Sequence, residues 1–196
     1  MSLVPAFEIG LWNAWILMLY VIFYNTVPYI LSAARPLYRE ILKKTSGPDI
    51  PLNKTKKIFG EIMFLVFVIP IVYSFFLPLK LSTVWFYVGL FIYLLGVVIG
   101  TMAMYDFFTT AVDKLVTKGA YRISRNPMYL GMFLIYIGTG IACISWLFLL
   151  LTTVFVILSH IVVITEERFC LKMYGKEYRE YLNRTPRWIG IPKTKK

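Results

Sequence analysis

The sequence predicts an all-α integral membrane protein with five transmembrane helices, and three observations carry that expectation. Of its 196 residues, 59% are hydrophobic and only 16% charged, a balance far from that of soluble chains. The apolar residues gather into runs long enough to cross a hydrocarbon core, which takes roughly 20 helical residues. The positive charges collect in segments that five spans would place on one side.

Three apolar runs, at 11–31, 58–77 and 84–107, each suit one span. The first resembles a signal peptide in position, but it lacks a basic flank and a small-residue cleavage site, so it reads as a helix that stays. A fourth run, 128–165, is too long for one crossing and is interrupted at "GTGIACIS". It reads as a helical hairpin over 127–165 with its turn near 138–145, followed by cytoplasmic helices. The chain divides into a three-span region, 1–107, with a basic cytoplasmic loop at 32–57, and a second region, 108–196, that holds the hairpin and tail. Within the loop, "SAARPLYREILKK" suits a short basic helix on the membrane, and "SGPDIPLNK" suits irregular chain.

The net charge of +11 is not spread evenly. Seven of the 21 Lys and Arg lie between the first two spans, four between the third and fourth, and nine after the fifth. The positive-inside rule makes those three segments cytoplasmic, with the N-terminus outside and the C-terminus inside. A charge so placed answers to lipid headgroups rather than nucleic acid. Cys143 and Cys170 have no metal or redox spacing, and His160 is the one histidine, so no protein-built metal site is expected. "GTG" at 138–140 lacks the strand and third glycine of a nucleotide loop and suits a turn or close helix packing.

Two polar concentrations flank the hairpin. Before it, "YDFFTTAVDKLVTKGAYRISRN" suits a short interfacial element and a turn broken at Gly119. Asn126 then suits an N-cap and Pro127 the first helical position. The helix start offers N–H groups and partial positive charge to an anion, and Arg125 strengthens that offer. After the hairpin come His160 and the adjacent carboxylates Glu166 and Glu167. Leu171, Tyr174, Tyr178 and Tyr181 follow at helical spacing, with a break at Gly175. Tyrosines there also suit headgroup level, but two adjacent carboxylates near the membrane need a partner, for which Arg125, Arg168 or a cationic ligand qualify. Both concentrations belong to one hairpin, so the fold should join them into a polar pocket at the inner surface, able to hold a zwitterionic or cationic ligand.

"LVTKGAYRISRNPMYLG", an apolar hairpin and "EERFCLKMYGKEYREYLNRTPRW" together resemble the isoprenylcysteine carboxyl methyltransferase family, within the broader membrane phospholipid methyltransferases. The resemblance covers about 115–188; where the eukaryotic enzymes carry Arg-His-Pro, this chain has Arg-Asn-Pro. It implies S-adenosylmethionine as methyl donor, S-adenosylhomocysteine as product, and no metal. By motif position it implies that Leu115, Val116, Thr117, Gly119 and Tyr121 line the donor. Arg125, Asn126, Pro127 and Tyr129 would form the helix-start side, and His160 and Glu167 would close the site. Arg125, Glu167 and Arg184 carry the implied catalytic roles, with Arg184 and Arg187 covering the site or meeting an acidic acceptor. That acceptor would be a prenylated cysteine carboxylate or similar lipophilic group entering from the bilayer. The membrane would be the plasma membrane of a prokaryote or the endoplasmic reticulum of a eukaryote. Two enzymes rival this reading: a phospholipid amine N-methyltransferase, which needs a general base, and a nicotinamide-dependent sterol-type reductase. A scaffold or transporter is the third class, against which stands the scarcity of ionisable residues within the spans, Glu61 excepted.

Overall fold

The computed structural model describes residues 9–34, 54–111 and 114–190. The expected irregular segment before 54, and the basic helix beyond Ala34, lie outside them. The described chain is all-helical: α1 (Trp15–Ala34), α2 (Lys54–Ser74), α3 (Val84–Phe108), a 3-10 turn (Gly119–Arg122), α4 (Pro127–Ala142) and α5 (Trp146–Arg184).

Two of these helices, α3 and α5, are long and apolar enough to cross a membrane; α1, α2 and α4 contain shorter apolar stretches. Only 28% of the apolar window of either long helix is buried inside the protein, whereas a soluble core helix would be mostly covered. Val84, Phe91, Leu150 and Ile157 all point outward.

The helices start where side chains cap them. Thr83 Oγ1 accepts the Phe86 N–H at 3.3 Å ahead of α3, and Ser145 Oγ accepts the Phe148 N–H at 3.2 Å ahead of α5. The closest pairing is between α3 and α4, where glycine removes the side chains that would hold the backbones apart. A Cβ on Gly138 would stand 2.6 Å from the Gly89 carbonyl, and one on Gly131 would stand 2.9 Å from that of Gly96. Of the two roles open to "GTG", close packing is therefore the one observed. The hairpin turn is shorter than expected, Cys143–Ser145, with Ile144 at φ 53°.

The two ends of the molecule are built differently. At one end backbone ties join three connections: Ala14 N–H to the Leu77 carbonyl (2.8 Å), Leu79 N–H to that of Trp12 (3.0 Å) and Lys80 N–H to that of Ala142 (3.3 Å). An aromatic core of Phe67, Phe133, Tyr136 and Phe155 fills the middle. At the other end α3 stops at Phe108. Between residue 114 and Pro127 the described chain holds the 3-10 turn Gly119–Arg122, a turn where one was expected, and α5 continues past its apolar part, which ends at Thr165. That long helix breaks at Gly175, whose φ of 52° lies in the left-handed region. The polar residues gather at this end.

Candidate functional site

The stretch that begins α4 is fixed from several directions. The Arg125 N–H donates to the Pro186 carbonyl at 3.0 Å, Ser124 Oγ donates to that of Arg187 at 3.0 Å, and the Asn126 N–H donates to Ser124 Oγ at 3.1 Å. Pro127 occupies the first helical position and is fully buried. Asn126 holds the N-cap place but caps nothing with its side chain. Its Nδ2 instead donates to Glu167 Oε1 at 3.4 Å and to the Arg187 carbonyl at 3.2 Å.

Glu167 is the hub. Arg125 Nε reaches its Oε1 at 3.0 Å, while Arg187 Nη2 and Nε reach its Oε2 at 2.8 and 3.1 Å. Arg125 Nη1 also donates to the Leu182 and Thr185 carbonyls, each at 3.0 Å. Burial works against the Glu167 carboxylate, but the Arg187 hydrogen bonds and the two guanidinium charges outweigh it and hold the group below the usual glutamate range. The same bonds raise Arg187 against its own partial desolvation.

Glu166 has a different setting, because adjacent helical residues point about 100° apart. Its Oε1 accepts the Tyr129 hydroxyl at 3.0 Å, and among the described residues it has no ion pair. Its side chain is exposed on the cavity wall, yet the protein around it displaces enough water to push its pKa up, and the Tyr129 bond opposes that only in part.

These groups lie on one cavity of about 640 Å³, in the size range of cofactor sites at about 300–1,000 Å³. Its polar wall holds Tyr121, Arg125, Asn126, Glu166 and Glu167; Met63, Phe64 and Phe67 of α2 are part of its apolar wall. Leu115, Val116 and Tyr129 also line it. Thr117, Gly119, Pro127, His160 and Arg184 stand outside the lining. Gly119 starts the 3-10 turn at φ 54°, and Pro127 backs the helix start. His160 accepts the Trp188 indole N–H on Nδ1 at 3.3 Å. Arg184 lies exposed on the last turn of α5.

Sequence reasoning gave no role to two residues that build this site, Asp106 and Trp188, and Tyr181, read there only as one of a row of tyrosines, has a specific one. Buried Asp106 accepts the Ala120 N–H at 3.0 Å and occupies the space a Cβ on Gly119 would need, so it shapes the turn that carries Tyr121 to the cavity. Its signal was available: it is the one carboxylate in the third apolar run. Tyr181 anchors the same turn, its hydroxyl donating to the Tyr121 carbonyl at 2.7 Å. Trp188 ties the tail to His160 and Phe133.

A family model described as phospholipid methyltransferase matches residues 79–177. The match includes α3, the turn, α4 and α5 as far as Glu177, both cavity glutamates among them; α1, α2, Arg187 and Trp188 lie outside it. No curated protein matches the chain.

Proposed function

The chain belongs to the phospholipid methyltransferase family, and from that premise we propose that it transfers a methyl group from S-adenosylmethionine to a lipid-borne acceptor at the inner membrane surface. The observation that carries this is the placement of the polar wall, Tyr121, Arg125, Asn126, Glu166 and Glu167, at one end of an otherwise apolar cavity. The residues fit the donor. Aromatic walls suit an adenine ring, and carboxylate and amide groups suit ribose hydroxyls and a cationic sulfonium. Leu115, Val116, Tyr121, Asn126 and Tyr129 are the residues we assign to donor contact, with Thr117, Gly119, Pro127 and His160 supporting them from behind. Glu167, already engaged by Arg125, Asn126 and Arg187, serves by orienting those groups. When bound, the donor supplies an electrophilic methyl carbon whose leaving group departs uncharged, so neither metal nor covalent nucleophile is required. The protein contributes position, holding the reacting atoms about 3–3.5 Å apart, and exclusion of water.

The topology that serves this chemistry has five spans, α1 to α5, with the polar end in the cytoplasm. Support comes from the one-sided distribution of Lys and Arg. A soluble donor would reach the cavity from the cytoplasm and a lipid from the bilayer; in a prokaryote that is the plasma membrane. A prenylated cysteine carboxylate is the second acceptor reading. Two guanidinium groups share the single carboxylate of Glu167, an excess of positive charge that suits an anion. Calorimetric titration of the detergent-solubilised protein with S-adenosylmethionine tests the donor assignment. Binding that weakens at least tenfold in Asn126→Ala supports it, and no binding by the wild type refutes it.

A further inference from the structure

We propose that Tyr24 of α1 selects the methyl acceptor, its hydroxyl donating a hydrogen bond to an ester carbonyl where the chains of a glycerophospholipid join its headgroup. The inference rests on the proposed methyl transfer to a lipid-borne acceptor and names the class of lipid that the cavity takes.

A tyrosine hydroxyl kept from water is costly to leave unpaired. Tyrosines elsewhere in the apolar helices find partners on a neighbouring helix. Tyr20 Oη donates to the Val97 carbonyl at 3.2 Å and lies 2.8 Å from Thr101 Oγ1. Tyr93 donates to the Leu17 carbonyl at 2.8 Å, and Tyr136 to that of Phe67 at 3.1 Å. Tyr24 differs: its hydroxyl oxygen is buried and has no hydrogen-bond partner among the described residues. A phenylalanine would fill the same place and leave no polar atom unpaired, so the hydroxyl adds nothing to the packing of α1.

The ring is nevertheless held in a defined position. Tyr20, one turn earlier, packs against it with centroids 5.7 Å apart. Gly100 of α3 leaves room beside both, since a Cβ there would stand 3.4 Å from Tyr20 Oη and 3.7 Å from Tyr24 Cε2. Tyr24 lines the cavity, together with Asn25 of α1 and Met63, Phe64 and Phe67 of α2. Asn25 directs its Nδ2 back to the Val21 carbonyl of its own helix at 2.8 Å, whereas no such bond holds the Tyr24 hydroxyl. The polar wall is close by. Burial first, and the Tyr24 hydroxyl next, raise Tyr121 well above the ordinary tyrosine range. Tyr24 therefore stands where the apolar wall meets the polar end.

Its level in the helix identifies the group it meets. The apolar stretch of α1 ends at Pro28, so Tyr24 lies about one turn inside that limit. The ester linkages of a glycerolipid occupy the same level, between the headgroups and the hydrocarbon core. A phospholipid whose amine reaches the polar wall would bring a carbonyl to Tyr24. A prenylated cysteine joins its chain through a thioether, a much weaker hydrogen-bond acceptor. The matched family segment begins at residue 79, so this contact belongs to the chain's own first helix.

The test measures methyl transfer by the full-length protein in mixed micelles, offering diacyl phosphatidylethanolamine or its dialkyl ether analogue, which lacks the carbonyls. S-adenosylmethionine affinity is measured alongside. Wild type should prefer the diacyl lipid through an apparent KM about three- to tenfold lower, the worth of one hydrogen bond. Tyr24→Phe should raise KM for the diacyl lipid by that factor, leave kcat and donor affinity near wild type, and no longer distinguish the two lipids. Tyr20→Phe, which removes a hydroxyl bonded within the protein, should keep the preference. Equal use of the two lipids by wild type, or a preference that survives in Tyr24→Phe, overturns the proposal. So does weaker donor binding in Tyr24→Phe, which would place the hydroxyl on the donor. Wild-type transfer to a prenylcysteine but to neither phospholipid overturns it while sparing the methyltransferase reading, whereas absent donor binding by wild type removes both.

Discussion

Arg125 and Glu167 stand 42 positions apart in sequence and meet at 3.0 Å, one just before the hairpin and the other just after it. Both side chains are about nine-tenths buried, so the pair fixes the polar end of the cavity from within. Removing Glu167 would leave the Arg125 charge buried with nothing to balance it. We expect Glu167→Ala to cost about 3–5 kcal/mol, visible as a drop in thermal unfolding temperature by intrinsic fluorescence. Arg125→Lys should also destabilise, because one ammonium cannot serve Glu167 and the Leu182 and Thr185 carbonyls in the fixed fork of a guanidinium.

The same pair sets an acid limit. The folded pKa of Glu167 lies below its unfolded value of about 4.3. Its stabilisation is therefore complete above that value and disappears as the pH falls from there through the folded pKa. Wild type should lose stability across that window more steeply than Glu167→Gln, whose titration is abolished. Unfolding midpoints from pH 6 down to pH 3 would show the two curves converging.

Asp106 supports the turn that delivers Tyr121. In Asp106→Ala the Ala120 N–H loses its acceptor, which costs about 1–3 kcal/mol. We expect a parallel loss of S-adenosylmethionine affinity. Gly119→Ala should act similarly, since its methyl would overlap the Asp106 carboxylate. Calorimetry on both variants, with circular dichroism confirming helix content, checks this.

Close approach of α3 and α4 depends on glycine. Gly138→Ala would put a methyl against the Tyr93 and Gly89 backbones, an overpacking that costs about 1–3 kcal/mol. Gly175→Ala meets nothing within 4 Å, yet it forces a side chain into φ 52°, at about 1–2 kcal/mol. Melting temperatures separate crowding from backbone strain: Gly138→Val should fall further than Gly138→Ala, whereas Gly175→Asn, which tolerates the left-handed region, should lose less than Gly175→Ala.

Much of the helical order was legible, because apolar run length is a local property: α3 begins at the expected Val84 and ends one residue later than expected. The meeting of Arg125 with Glu167 followed from topology, since one hairpin joins their segments. What the sequence could not display were choices made by tertiary contact. Asn126 has every feature of an N-cap, but Glu167 and the Arg187 carbonyl compete successfully for its amide. Glu166 and Glu167 are identical residues side by side, and only the helical turn between them sends one to arginines and the other to Tyr129. Asp106 looked like one more residue of an interfacial segment until Gly119, 13 positions on, was found to leave it room.

The most direct test of the whole account is methyl transfer from isotope-labelled S-adenosylmethionine by the purified protein, offered phosphatidylethanolamine and a prenylated cysteine together. The account predicts label in one of the two lipid-borne acceptors, as an acid- and base-stable N-methyl group on the phospholipid or a base-labile ester on the prenylcysteine. No label in either acceptor, with no donor bound, would contradict the methyltransferase function itself.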